Sequence, residues 1–246
     1  MIIRAVESGP RGVHELAELT GTTAITLRRD LSELAERGAL RRTRGGAEAA
    51  TGRGLDFPFE LRRGEAVDLK RALARAAASR VRPGDCVLID NGTTALAVAE
   101  ELAGRGVTAL ALSIHAAAAL AKAPGNQIVV PGGTVATDDL RFTGSTALRA
   151  VEAMRFDVAF LGACAADPET GLTVAEYDDA HLKRAALASS RSAVLVATPD
   201  KFLRTSAHHF GSIADLDAIV TGDPVPASVT AAAAAAGVEL VVADAG

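Results

Sequence analysis

The sequence predicts a two-part α/β chain: a small N-terminal module of short helices closed by a basic turn, then a larger α/β domain with a mostly parallel sheet. Three observations predict it. Formal charge is −4 over 246 residues, yet residues 1–64 hold 11 Arg against 9 acids while the remainder holds 15 Lys and Arg against 21 acids. Up to residue 47 apolar residues recur at helical spacing in short capped segments; from residue 65 short apolar runs alternate with helical stretches. Continuous apolar strands separated by helices indicate a sheet buried on both faces. With 49% hydrophobic residues, 3% aromatics and no Trp, the core must be built mainly from Ala, Leu, Val and Ile.

In chain order, Ile2, Ile3 and Val6 suggest a first helix, ended by Ser8-Gly9-Pro10. Val13, Leu16, Ala17 and Leu19 form a second, stopped by Thr20-Gly21. Thr23 stands where an N-cap belongs, and Leu27, Leu31 and Leu34 follow at i, i+4, i+7, with Gly38 as the C′ residue. Ala39–Thr43 reads as one strand and Arg44-Gly45-Gly46-Ala47 as a tight turn. This is a helix-turn-helix with a wing, over residues 1–47. Residues 48–64 mix Gly, Pro and charge without a period and read as a linker, with Phe57 and Phe59 as its docking points.

On the third helix, at about 100° per residue, the leucines face the core, Ile25, Arg29 and Ser32 fall opposite, and Arg28 lies on the flank. That suits a helix whose start enters the major groove of DNA. Thr23, Ile25 and Thr26 belong to this start, where backbone N–H groups also favour phosphate. Arg28 and Arg29 can reach guanine edges or phosphates. Glu33 and Glu36 lie further along, so only the start approaches the groove. Arg41, Arg42 and Arg44 place three cations around the wing, suited to the flanking phosphates. The alternative is a solvated basic helix and hairpin.

In the larger domain, residues 66–80 read as a helix. The strand candidates are Cys86–Asp90, Val107–Leu112, Ile128–Val130, Val158–Gly162, Val194–Thr198, Ala218–Thr221 and Leu240–Ala243, with helices at 95–103, 144–153, 176–190 and 227–236. In Leu88-Ile89-Asp90-Asn91-Gly92-Thr93-Thr94-Ala95 an apolar strand ends in a carboxylate. Glycine, two hydroxyls and a helix start follow. Gly92 lets a ligand approach the backbone, and the helix end attracts anions. Such a cradle sits where open α/β sheets bind ligands. A plain structural turn is the competing reading. Gly132-Gly133 forms a second glycine turn after a strand. Lys201 follows another strand end and suits a phosphate as a point charge, with a solvated loop lysine as the competing reading; it is one of only four Lys beside 22 Arg. P-loop and GxGxxG spacings are missing, which argues against ATP and NAD.

The segment VHELAELTGTTAITLRRDLSELAERGALRRTRGGA resembles the DNA-binding module of DeoR-type repressors, through Leu27-Arg28-Arg29-Asp30-Leu31 and Arg44-Gly45-Gly46-Ala47. Members of that family have more residues ahead of the first helix, so the module reads as shortened or its start as assigned late. Asp68–Asp223 resembles the family's sensor domain, which is similar in fold to ribose-5-phosphate isomerase. The resemblance implies that Asp90, Asn91, Gly92, Thr93, Thr94 and Lys201 bind a phosphorylated sugar or sugar-like effector. Gly132, Gly133, Gly162, Gly171, Asp179 and Lys183 match the family pattern. Two positions depart from it: Ala111-Leu112-Ser113 stands where members have Thr-Asn-Ser, and Thr198 where they have Asp. Both changes imply a less polar pocket, and with it either a different effector or weak binding.

The expected partners are an operator in double-stranded DNA, the effector, and further copies of the chain in a symmetric oligomer. No catalytic group, cofactor or metal is expected. His208-His209 lacks a third ligand, and His14, His115 and His181 read as ordinary helical residues. Asp167, Glu176, Asp178 and Asp179 around Gly171 pass for acid/base groups but read as loop and helix-start carboxylates. Cys86 and Cys164 lack metal spacing and fit a reduced cytoplasm. No apolar run spans a bilayer and no signal peptide is seen, so no membrane association is expected. The rivals are a sugar-phosphate isomerase or deaminase with an appendage, using Asp90 or Asp179 as base, and an interaction scaffold with a vestigial pocket.

Overall fold

The computed structural model describes residues 2–7, 9–36, 40–49 and 59–244. The N-terminal part comprises α1 (Ile2–Glu7), β1 (Arg11–Gly12), α2 (Val13–Thr20), α3 (Ala24–Glu36), β2 (Leu40–Thr43) and β3 (Gly46–Ala49). α2 ends because Gly21 takes a left-handed φ of 66°. α3 starts at Thr23, whose Oγ1 accepts the Thr26 N–H at 3.2 Å. Val6, Val13, Leu16, Ala17, Leu27, Leu31, Leu40 and Ala47 form one small core.

Three details differ from the sequence expectation. Leu19 is 52% exposed: the buried arc of α2 runs through Val13, Leu16 and Ala17, and Leu19 falls outside it at about 100° per residue. The wing is a two-stranded hairpin, and Gly46 and Ala47 belong to its second strand, not to the turn. Residues 48–64 are not all irregular, because β3 runs to Ala49 and a helix covers Phe59–Gly64. Phe59 is buried in the core of the larger domain. Gly38, Ala39 and Phe57 lie outside the described residues.

β1 pairs with β3 and β3 with β2, all antiparallel. Their approach is close: a Cβ on Gly46 would lie 1.9 Å from the Arg11 carbonyl oxygen. The Val13 N–H donates to the Gly45 carbonyl at 2.8 Å, which ties the wing turn to the start of α2.

The larger domain continues with α4 (Phe59–Gly64), α5 (Val67–Ala78), β4 (Cys86–Ile89), α6 (Thr93–Glu101), β5 (Thr108–Ala111), α7 (Ile114–Leu120) and β6 (Gln127–Val129). Next come β7 (Thr134–Val135), β8 (Phe142–Thr143), α8 (Gly144–Glu152), β9 (Val158–Leu161), β10 (Ala165–Asp167), β11 (Gly171–Val174) and α9 (Tyr177–Ser189). The chain closes with β12 (Ala193–Val196), β13 (His208–Gly211), β14 (Ala218–Thr221), α10 (Ala227–Ala236) and β15 (Glu239–Val242).

Seven strands form one parallel sheet in the order β15-β14-β12-β9-β4-β5-β6. Each contains residues of a strand read from the sequence. Their side chains alternate between two cores, one including Val87, Ile89, Phe160 and Val194, the other Leu88, Leu110, Leu161 and Leu195. Beyond the sequence reading are α7, the β7–β8 pair and the antiparallel sheet β10-β11-β13. β4, β5 and β6 run outward in one direction and β9, β12, β14 and β15 in the other. The order therefore reverses between β4 and β9, and the loops leaving those two strands open a crevice there.

Gly46→Ala tests the close approach in the N-terminal sheet. The added methyl group must part β1 from β3, at about 1–3 kcal/mol, the usual range for overpacking. Amide hydrogen exchange should show lost protection in β1–β3 and unchanged protection in β4 and β9. Full protection at Gly46 and Ala47 would contradict the geometry.

Candidate functional site

The start of α3 presents Thr23, Ile25, Thr26, Arg28 and Arg29 to solvent. Ile25 is 80% exposed. The wing lies against the same helix: Arg42 Nη1 donates to the Arg28 carbonyl at 3.2 Å and to Ser32 Oγ at 2.7 Å. Arg41, on the neighbouring position, pairs with Glu48 across the hairpin. Arg44 is exposed at the hairpin turn. The eight residues expected to face DNA thus fall on one helix start and one hairpin. Two of the three wing arginines have intramolecular partners: Arg42 braces the hairpin on α3, and Arg41 ties its two strands together.

The second constellation occupies the crevice between β4 and β9. Asp90 follows β4 and is fully buried. Its Oδ2 accepts the Gly162 N–H at 2.7 Å from the loop after β9 and is ion-paired with Lys183 on α9. Its Oδ1 is buried with no hydrogen-bond partner. Asn91 Nδ2 donates to Asp179 Oδ1 at 2.7 Å, and Lys183 Nζ lies 3.7 Å from Asp179 Oδ2. Asp179 and Lys183 are one helical turn apart, so both project into the crevice. Asp90, Asn91, Asp179 and Lys183, with the Gly162 N–H, therefore form one network of hydrogen bonds and ion pairs from three chain segments.

The electrostatics of this network follow from burial. Desolvation pushes the Asp179 carboxyl up to about 6; the Asp90 charge adds to that, while Lys183, the Asn91 amide and Arg141 oppose it. Burial by itself would depress the Lys183 ammonium, but Asp179 and Asp90 outweigh it and hold the group above its usual range. Lys183 is thus a fixed cation between two carboxylates that would otherwise repel.

Gly92 is the residue before α6, with nothing within 4 Å of the position a Cβ would take. Thr93 is buried and Thr94 half-buried, at a helix start whose first N–H groups have no carbonyl in their own helix. Lys201 lies on a 3-10 turn after β12, with Nζ 3.9 Å from Asp200 Oδ2. Gly132 and Gly133 take left-handed φ angles of 72° and 87° on the loop between β6 and β7. Gly133 packs against Thr146 of α8. Theirs are turn positions, outside the Asp90 network. Gly171 supports the β10–β11 hairpin with φ 81°.

Two further cations escaped the sequence reading, one beside Lys201 and one beside Asp179. Lys70, buried on α5, donates to the Arg62 carbonyl of α4. Desolvation lowers its pKa to about 8 against the pull of Glu65, and the charges of Arg62 and Lys201 lower it further. Its signal was available, because lysine is as rare at position 70 as at 201 in this arginine-rich chain. Arg141 acts electrostatically on Asp179 and is itself held by Asp138 and Asp139. No local motif marks it. The two departures from the family pattern also take on structural meaning. Leu112 is fully buried in the core, so its side chain does not line an open pocket. Thr198 is hydrogen-bonded to Asp200, which keeps a carboxylate beside Lys201.

Among the described residues, no group of three or more His, Cys, Asp or Glu could hold a metal ion. No described helix is long and apolar enough to cross a membrane.

Comparison with known proteins covers both parts. The model of the DeoR-like helix-turn-helix domain matches residues 6–53, and that of the DeoR C-terminal sensor domain matches residues 65–223. The chain is 31% identical over 235 residues to the HTH-type transcriptional regulator GlpR of Haloferax volcanii, covering 96% of this chain and 92% of that protein. It is 31% identical over 224 residues to the glycerol-3-phosphate regulon repressor of Escherichia coli strain K12, covering 91% and 88%. Among solved structures, ribose 5 phosphate isomerase A from Neisseria gonorrhoeae is similar at 18% identity with a TM-score of 0.38, over 55% of this chain and 53% of that one.

Lys183→Met should destabilise the larger domain by about 3–5 kcal/mol near neutral pH, because it leaves buried carboxylates without their cation. Denaturant unfolding measures this, and a change below 1 kcal/mol would contradict the pairing. Asp179→Asn tests the titration. A carboxyl at about 6 when folded and near 4 when unfolded favours the fold below pH 4 and loses that advantage as pH rises through 6. The Asn variant, which keeps an acceptor for Asn91, should therefore show a flatter stability profile between pH 4 and 6 than the parent chain.

Proposed function

The chain belongs to the DeoR family of DNA-binding transcriptional regulators, and from that premise we propose that it represses a carbohydrate operon under the control of a phosphorylated sugar or polyol. In this reading residues 1–47 bind the operator, 65–246 sense the effector and 48–64 connect them. The observation that carries it is the coexistence in one chain of an arginine-bearing helix start and an anion cradle at a sheet crevice.

The cradle's parts have distinct roles. The α6 N-terminus with Gly92, Thr93 and Thr94 receives the phosphate, and Lys201 supplies the neutralising charge, with Lys70 beside it. Asp90 Oδ1, a buried acceptor lacking a donor, accepts a ligand hydroxyl, and the Asp179 side offers a second acceptor. Gly132 and Gly133 shape the neighbouring loop. The relative named as the glycerol-3-phosphate regulon repressor supports a small phosphorylated polyol as the chemical class. An isomerase reading is not favoured, since the similar full-length proteins are regulators.

The protein acts in the cytoplasm as a symmetric oligomer, so that two N-terminal modules meet two half-sites. Control follows if the effector binds one arrangement of those modules better than the other, because only differential affinity shifts an equilibrium.

A mobility-shift titration on the DNA upstream of the chain's own gene, with and without phosphorylated sugars and polyols, tests the proposal. Binding whose midpoint moves with one of these compounds is expected; no retarded complex under any condition would sink it. Lys201→Ala should leave DNA binding intact and raise the effector concentration needed about 10- to 100-fold, as for a lost charge-assisted hydrogen bond.

A further inference from the structure

Ile25 is the largest apolar side chain on the outward face of α3, and it is 80% exposed. Isolated exposed apolar residues are common on protein surfaces; position makes this one different. It sits in the first turn of the helix, between the N-cap Thr23 and the exposed Arg28 and Arg29. It shares their face, since positions 25, 28 and 29 are related by i, i+3 and i+4.

Neither helix stability nor packing accounts for it. A β-branched residue is a poor helix former, the dipole favours Asp or Glu in a first turn, and α3 has no acid there. The core of this module is completed by Leu27, Leu31 and their neighbours without Ile25. What the position requires is a side chain that tolerates polyanionic surroundings and gains from an apolar contact. The major groove offers one apolar group on base edges, the 5-methyl of thymine. Further along the same face, Ser32 is already hydrogen-bonded to Arg42, so direct reading of bases is concentrated on the first two turns.

We infer that Ile25 determines operator specificity by packing on a thymine methyl group, one helical turn from the base or phosphate held by Arg28 or Arg29. This rests on the DNA-binding reading and adds a base identity to it. From Ile25 to Arg29 the helix rises about 6 Å, and stacked base pairs are about 3.4 Å apart. The thymine therefore lies within about two base pairs of the position contacted by the arginines.

The test uses the full chain to enrich duplexes from a randomised library. Each thymine of the enriched sequence is then replaced by deoxyuridine, which removes only the methyl. One thymine per half-site should lose about fourfold in affinity, the worth of one buried methyl group. Ile25→Ala should bind the enriched duplex more weakly and be indifferent to deoxyuridine at that position, with an unchanged salt dependence. Arg29→Ala should keep the methyl sensitivity and change the salt slope or the guanine preference. If Ile25→Ala retains the parent's deoxyuridine profile, or the parent shows no methyl sensitivity while binding tightly, the inference fails and the repressor reading stands. A change in oligomer size on Ile25→Ala, with the methyl profile intact, would assign the side chain to a protein contact and overturn it too. If no sequence is enriched, both fail. Ile25 contributes nothing to the core, so the alanine variant should melt at the parent's temperature.

Discussion

The larger domain's site is organised by one buried ammonium. Lys183 is 2% exposed and stands between Asp90 and Asp179. Without it, two buried carboxylates would repel each other in a medium that screens poorly, and the burial cost of each would be unrelieved. With it, the end of β4, the loop after β9 and the first turns of α9 are held in one arrangement. The Gly162 N–H adds a backbone tie to the same Asp90 oxygen. Buried ion trios are weak contributors to net stability, since well-packed apolar groups often do as well. The effect of this one is positional. It orients the turn at Asn91 and Gly92 and therefore the free N–H groups at the start of α6.

A comparable economy organises the small module. Among the described residues its core holds eight buried apolar side chains, all aliphatic, so rigidity depends on backbone contacts as well. Gly46 permits β1 and β3 to approach closer than any side chain would allow. Arg42 then joins the hairpin to α3 through Ser32 and the Arg28 carbonyl. A hairpin expected to grip phosphates with three arginines uses one of them to fix its own angle on the helix. The cationic face is more sharply defined as a result: Arg28 and Arg29 on the helix, Arg44 at the tip.

Much of this was legible in order along the chain. The five inner strands of the parallel sheet were readable because a strand buried on both faces is apolar nearly throughout. Thr23 and Gly21 marked helix boundaries through their backbone chemistry. The short strand pairs β7–β8 and β10–β11 were not legible, since two to four residues give too little period to read. Asp179 was locally indistinguishable from Asp178, and both read as helix-start carboxylates. One is exposed and the other buried in the crevice. Only the packing of α9 against the sheet separates them. Lys70 was not singled out, because its partner, the Arg62 carbonyl, belongs to a segment with no readable period.

By itself the sequence determined the class of each part: capping residues, apolar periodicity and the Asp-Asn-Gly-Thr-Thr turn are local properties, set by backbone geometry and side-chain solubility. The tertiary structure decided which of those parts meet. Asp90 and Lys183 are 93 positions apart. The strand order reverses between β4 and β9, and that brings them together, because parallel strands must be joined by long crossovers whose return points no local pattern encodes.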